Sequence, residues 1–434
     1  MGESRLSLKY GDGAVEVSLP RSVDLGRGFR RIDPIPLPPE AERCARDPMA
    51  ALRAALDSPI GTPPLEQMVE PGESCAIAVS DITRLWIGTR HFLPAIVERL
   101  NRAGVPDERI TLVLARGTHR PNSDAEIAQI VGEELASRLR IVHHDPDGPC
   151  TYVGTTSRGT KVEINAEAAR CDRLILTGGV VHHAMAGYGG GRKSIVPGIA
   201  SRATVKSNHL WVIDPEVPMI RDGVGSARTE GNPLHEDMVE AAAMANVDFI
   251  VNAATDASGR FAGFFAGHWL EAWRAGCELV DRMYCVPCAG RSDVVLASCG
   301  GFPRDISIYQ ASKAFYNAWM AVKPGGTIVM FCEARDGGGG DEFFSWFDYP
   351  TIEECHRALV NDFTVAGYLA FLVYLIAVRH NVVLVTELDE ELVRKMHMTR
   401  MLPRDAEKAL ADAVRPSDSV TFMPESAITL PVLE

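Results

Sequence analysis

Along the chain, short apolar runs that end in glycine or polar residues alternate with longer stretches of helical periodicity. CAIAVSD (75–81), RITLVLARG (109–117), RIVHHD (140–145) and CDRLILTGG (171–179) read as strands. HFLPAIVERLNRAG and DAEIAQIVGEELASRL (124–139) read as the helices between them. A second series begins near residue 290. RSDVVLASCGG (291–301), GGTIVMFCEA (325–334) and NVVLVTEL (381–388) are strands, and ISIYQASKAFYNAWMAV (306–322) is a helix. WLEAWRAGCELVDRMYCV (269–286) is a helix joining the two series. Before them, RLSLKYGDGAVEVSLP (5–20) reads as a hairpin turning at Gly11-Asp12-Gly13. Proline-rich RRIDPIPLPPEAE (30–42) then leads into one helix, AERCARDPMAALRAAL. The expected fold is α/β, with two α/β domains on mostly parallel sheets and a site in the crevice between them. Residues 1–275 form the first domain and 290–414 the second, and the closing stretch 415–434 is open to returning to the first.

Composition narrows the class. The 434 residues are 46% hydrophobic and 23% charged, enough for buried cores in a globular protein. Net charge is -13 and no run of Lys and Arg occurs, which argues against nucleic acid as a partner. The N-terminus is polar, without a signal-peptide apolar stretch, and its sixth residue is Leu6 rather than the Ser or Thr of a myristoylation site. The longest apolar run, AGYLAFLVYLIAV (366–378), is too short for a bilayer and reads as a buried helix, so no membrane association and a cytoplasmic location are expected. Ten cysteines are scattered as core thiols, and the pair Cys285 and Cys288 lacks the second pair or the histidines of a zinc site.

In parallel α/β sheets ligands bind beyond the carboxyl ends of the strands. SDITR (80–84), RGTHR (116–120), VVHHAMAGYGGGRKS (180–194) and SRATVKSNHLW (201–211) all lie at or after such ends. Gly187, Gly189, Gly190 and Gly191 can let a backbone approach an anion. The loop is not a phosphate-binding Walker motif, because Arg192 rather than glycine precedes Lys193, and no dinucleotide fingerprint is present. Among His119, His183 and His209, two can form an acid/base pair and a third can bind a metal. His143, His144 and His182 lie nearby with less to recommend them. These residues describe an enzyme with an anionic ligand, acid/base histidines and room for a metal, and they do not specify a reaction.

SDITR, RGTHRP, HHAMAGYGGGRKSIVPGI, SNHLW and IYQASKA, in this order and spacing, resemble the nickel-pincer lactate racemases. The resemblance implies an isomerase, a racemase or epimerase of small 2-hydroxy acids. It implies a nickel cofactor, nickel pyridinium-3,5-bisthiocarboxylic acid mononucleotide, joined covalently to Lys193 with His209 as the nickel ligand. It implies His119 and His183 as the pair that handles the substrate hydroxyl proton while hydride leaves Cα and returns to either face. Asp81, Thr83, Arg84, Arg192 and the loop glycines match the cofactor surroundings. Tyr309, Gln310 and Lys313, on one helical face, match the substrate site, shared with Arg84, and Lys313 suits the carboxylate. The implied partners are the substrate and the proteins that make the cofactor and insert nickel. Around DFTVAGYLAF (362–371) no Trp stands where the lactate enzymes carry one, so acids longer, aromatic or more acidic than lactate fit the resemblance as well. Alternatives are a sugar-acid epimerase of the same family and a carrier that binds the cofactor without turnover.

Overall fold

The computed structural model describes residues 5–18 and 28–434. Residues 1–4 and 19–27 lie outside the described residues, and with them the start of the N-terminus and the last two residues of the expected hairpin. Contacts divide the chain into two compact units, Leu37–Val212 with Arg221–Met283, and Met1–Pro36 with Ile213–Ile220 and Tyr284–Glu434.

The first unit is built on a six-stranded sheet in the order Phe261–Gly267, Phe249–Thr255, Arg173–Gly179, Cys75–Ser80, Ile110–Ala115, Arg140–His143. Its first pair is antiparallel and the rest are parallel. Helix Thr89–Arg102 lays Phe92, Leu93, Ile96, Val97 and Leu100 against Ile77, Val79 and Leu112, all essentially buried. Each such side chain contributes about 1.5–3 kcal/mol on leaving water. Two helices expected to be continuous are broken. Asp47 caps a new helix at Pro48, whose ring has no N–H to continue the previous one. Gly132, at φ +88°, separates Asp124–Val131 from Glu133–Arg138.

The second unit has a six-stranded all-parallel sheet, in the order Thr399–Met401, Asn381–Val385, Val322–Phe331, Ser292–Ser298, Val420–Met423, Phe29–Arg31. The chain's two ends therefore sit differently from the expected domain limits. The opening hairpin, Arg5–Tyr10 with Gly13–Ser18, buries Leu6, Leu8 and Val17 against Leu296, Val329 and Phe422 of this sheet. The closing segment supplies Val420–Met423 to the same sheet and pairs Leu430–Leu433 with Cys285–Cys288, so it does not return to the first unit. The cause is burial of apolar side chains: the opening strand Arg5–Tyr10 alternates buried and exposed residues, and the closing strand Val420–Met423 is buried throughout, so each needs a partner in the sheet. The apolar run near 370 is the buried helix Val365–Arg379. Among the described residues no helix is long and apolar enough to cross a membrane.

Candidate active site

Strands Cys75–Ser80 and Ile110–Ala115 pair in parallel with Ser80 opposite Ala115, so the residues that follow them emerge side by side. Asp81 follows the first strand and is 3% exposed. The loop after the second carries His119, positioned by Arg116, whose guanidinium donates to the carbonyls of His144 and His119. Gly117 makes this turn at φ +54°, its N–H donating to Gly198 at 2.9 Å. His119 Nδ1 lies 2.7 Å from Asp81 Oδ2, while Thr83 donates to Asp81 Oδ1 at 2.7 Å. Burial alone would raise the Asp81 pKa, but hydrogen bonds from His119 and Thr83 outweigh it and the pKa is lowered. An ionised Asp81 can only accept, so the His119 ring carries its proton on Nδ1 and a lone pair on Nε2. Arg84 is exposed, with its guanidinium reaching Thr83 Oγ1 at 3.2 Å.

Strand Arg173–Gly179 ends in a small ribbon that pairs His182–His183 with Gly187–Tyr188. Here His183 Nδ1 accepts the N–H groups of Met185 and Ala186, each at 3.2 Å. The neutral ring then carries its proton on Nε2, which is 3.3 Å from Lys193 Nζ. Burial, then the Lys193 and Arg84 charges, holds His183 well below its ordinary pKa. Burial, then Arg192 and Arg84, does the same to Lys193. The amine is thus favoured neutral and nucleophilic. His209 ends helix Arg202–His209, which Ser201 caps, and its Nδ1 bonds Val205 O at 3.0 Å. Burial, then Lys193, brings His209 to about 3. With Nδ1–H committed to a carbonyl, the lone pair sits on Nε2, the arrangement usual for a metal-bound imidazole.

The glycine loop works differently from the sequence expectation. The N–H groups of Gly189, Gly191 and Lys193 donate to Val181 O, Asn252 Oδ1 and Gly190 O, so the loop offers no continuous row of donors to an anion. Gly187, Gly190 and Gly191 have positive φ. A Cβ at Gly190 would come within 2.6 Å of Asn252 Oδ1, and one at Gly191 within 2.7 Å of the Trp273 ring. These glycines let the loop seat on the sheet and on Trp273. Arg192 is likewise turned inward and fully buried, not extended toward a ligand. It donates to Tyr188 O, Ala186 O and His235 Nδ1, with its guanidinium over the Trp273 ring at 4.1 Å. It braces the loop that bears Lys193. Asn252, Trp273 and His235 were missed from the sequence. Asn252 alone left a trace, a polar residue inside the apolar strand Phe249–Thr255.

In the second unit Tyr309, Gln310 and Lys313 open helix Ile308–Ala321, with Ser307 as cap. Lys313 is half-buried, and burial with Arg304 nearby brings it down to about 8. Gln310 is exposed.

Residues 10–219 match the lactate racemase N-terminal domain and residues 288–428 the lactate racemase C-terminal domain. A lactate racemase of Thermoanaerobacterium thermosaccharolyticum is 33% identical, with 85% of each chain covered. The chain belongs to the lactate racemase family. A second family member, a lactate racemase of Lactiplantibacillus plantarum, is 34% identical over 82% of this chain and 85% of its own. The solved lactate racemase apoprotein of T. thermosaccharolyticum superposes with a TM-score of 0.84 at 29% identity, covering 99% of this chain and 100% of that one. A Thermotoga maritima structure shares the fold at a TM-score of 0.58 and 18% identity, over 91% and 97% of the two chains. As a member of the lactate racemase family the protein is an isomerase.

Proposed function

We propose that the protein racemises or epimerises a small 2-hydroxy acid, lactate or a close analogue, with a nickel-pincer nucleotide joined to Lys193. The observation that carries this reading is the opposed setting of two histidines. His119 has its lone pair on Nε2 because Asp81 takes Nδ1–H, and His183 has a hydrogen on Nε2 because main-chain N–H groups occupy Nδ1. A carrier has no need of such a pair.

The residues present fit the cofactor. Lys193 offers a neutral amine for an amide-type bond, and His209 offers Nε2, its other nitrogen anchored to Val205. Nickel suits imidazole nitrogen beside soft sulfur donors. When bound, this group supplies the place to which the substrate Cα hydride goes and from which it returns. The chain's own residues manage the oxygen. His119 accepts the hydroxyl proton at Nε2, and the resulting imidazolium is stabilised by the Asp81 carboxylate. His183 donates a hydrogen bond from Nε2 to the substrate oxygen. The proton is returned before release, so turnover leaves the protein's protonation unchanged. The opposite enantiomer needs the mirror assignment. For His183 to accept through Nε2, its proton must move to Nδ1 and the two 3.2 Å contacts must be given up. Arg84, its guanidinium at Thr83, supplies a positive charge for the carboxylate.

The test uses protein produced together with cofactor-synthesis and nickel-insertion proteins. Intact mass should show a covalent increment that Lys193→Ala abolishes, and His209→Ala should lower bound nickel while leaving the increment. A substrate deuterated at Cα should keep its label, since a hydride taken and returned does not exchange with water. Extensive solvent hydrogen at Cα would overturn the reading.

A further inference from the structure

The ribbon that carries His183 is only two residue pairs long, His182 opposite Tyr188 and His183 opposite Gly187. A hairpin this short does not hold its own shape. Yet its turn has to be held, because the N–H groups of Met185 and Ala186 fix the His183 ring, each at 3.2 Å. Contacts to the main chain secure the turn itself: Arg192 donates to Ala186 O, and Asn232 donates to Met185 O at 2.8 Å.

The open end of the ribbon is secured by side chains. Successive residues of a strand face opposite ways, so His183 turns toward Lys193 while His182 turns to the other side. There His182 Nε2 lies 2.9 Å from Asp281 Oδ1. Tyr188, opposite His182 in the ribbon, donates its hydroxyl to the same carboxylate, at 2.8 Å to Oδ1 and 2.7 Å to Oδ2. A carboxylate only accepts, so both groups are donors, and Asp281 ties the opposed pair together. The Asp281 side chain is 39% exposed, so water screens its charge and it acts through hydrogen bonds rather than through its field.

Asp281 belongs to helix Glu271–Tyr284. Two turns earlier on that helix, Trp273 donates from Nε1 to Gly189 O at 2.9 Å and carries the Arg192 guanidinium over its ring. One helix thus holds both the loop of Lys193 and the ribbon of His183, and all of these residues lie in the same compact unit.

We infer that Asp281 is a positioning residue for the proposed reaction. By clamping His182 to Tyr188 it sets the ribbon turn that keeps the His183 proton on Nε2, and it keeps that nitrogen 3.3 Å from Lys193 Nζ. This rests on the role given to His183 above, and Asp281 reaches the reaction only through that ring.

The experiment has two readouts. Imidazole 15N spectra of the full-length chain, assigned with His183→Ala, report the His183 tautomer. Initial rates of cofactor-loaded protein, counted per adduct-bearing molecule, report kcat and KM. In wild type one His183 nitrogen should carry hydrogen and the other none. Asp281→Ala should draw the two signals toward a common averaged position and lower kcat about 10–100-fold, with KM little changed. Asp281→Asn, which keeps an acceptor oxygen, should recover most of both readouts. Tyr188→Phe removes one donor of the clamp and keeps the ring against Trp273. It should show both changes to a smaller degree, and it decides the matter if Asp281→Ala does not fold. A wild-type tautomer and wild-type kcat in these two variants, with only the melting temperature lowered, would overturn the inference. A wild type that racemises no 2-hydroxy acid overturns the proposed reaction instead, and the ring spectra then decide by themselves whether Asp281 positions His183.

Discussion

The two histidines of the first unit stand on opposite kinds of support. His119 is side-chain supported: its side chain is 45% exposed, and a buried carboxylate fixes its ring. His183 is main-chain supported, half-buried in a ribbon whose own N–H groups fix its ring. The first arrangement tolerates a positive imidazole, because Asp81 is there to balance it. The second disfavours one, since burial and neighbouring cations all work against protonation. The two histidines proposed to handle the substrate hydroxyl are thereby unequal, one with a lone pair and the other with a hydrogen on Nε2.

Removing either ring tests whether both are needed. His119→Ala and His183→Ala should each lower kcat by roughly 10²–10⁴-fold, the usual contribution of acid/base catalysis, measured by polarimetry on loaded enzyme. A variant that keeps full racemisation removes that histidine from the pair. Asp81→Asn separates the two supports. It should lower kcat about 10–100-fold with little change in KM, less than losing the imidazole itself. Because Asp81 is held below the usual carboxylate range, the deficit should be constant across neutral pH. A deficit that shrinks as pH falls through the neutral range would mean that Asp81 titrates there and is not held ionised.

How much of this was legible in the sequence follows the same division. SDITR and RGTHR sit directly after strands, so apolar runs located Asp81, Arg84 and His119, and strand pairing did the rest. The Lys193 loop was located in the same way, but its inner supports were not. Trp273 occupies an ordinary buried position of helix Glu271–Tyr284, and periodicity cannot show that its ring receives Gly191 and Arg192. Arg192 read as a ligand group because a sequence gives charge and not direction. Where the chain's ends go was hidden for a related reason. The strands Phe29–Arg31 and Val420–Met423 are short, and their partner is fixed by a register far away in the chain.

Between the histidine variants and the smallest effects lies a pH limb that belongs to neither histidine. The family resemblance makes Lys313 the cation for the substrate carboxylate, a role that needs it protonated, and burial with Arg304 nearby lowers its pKa to about 8. The binding form is therefore present below that pH and lost above it. KM should rise above about pH 8, with kcat less affected. Lys313→Arg should move the limb out of range, because guanidinium stays charged. Asp81→Asn should leave it in place. A basic limb that shifts in Asp81→Asn would assign it to His119 instead.

The smallest effect expected is at Asn252, and it decides whether the two supports are independent. Asn252→Ala removes the acceptor for the Gly191 N–H at 2.9 Å and leaves that donor buried and unpaired. The cost should be about 1–3 kcal/mol. Each kcal/mol lowers the melting temperature of a unit this size by roughly 2–4 °C. The loop carrying Lys193 would loosen, while the Asp81–His119 contact lies on other strands of the sheet. The stability changes of Asp81→Asn and Asn252→Ala should then add to within about 0.5 kcal/mol in the double variant, as they do for residues that share no partner. Calorimetric melting of the two single variants and the double variant measures this. A coupling of 1 kcal/mol or more would mean that the carboxylate and the loop hold one structure between them, and the contrast between the histidines would reduce to two views of a single network.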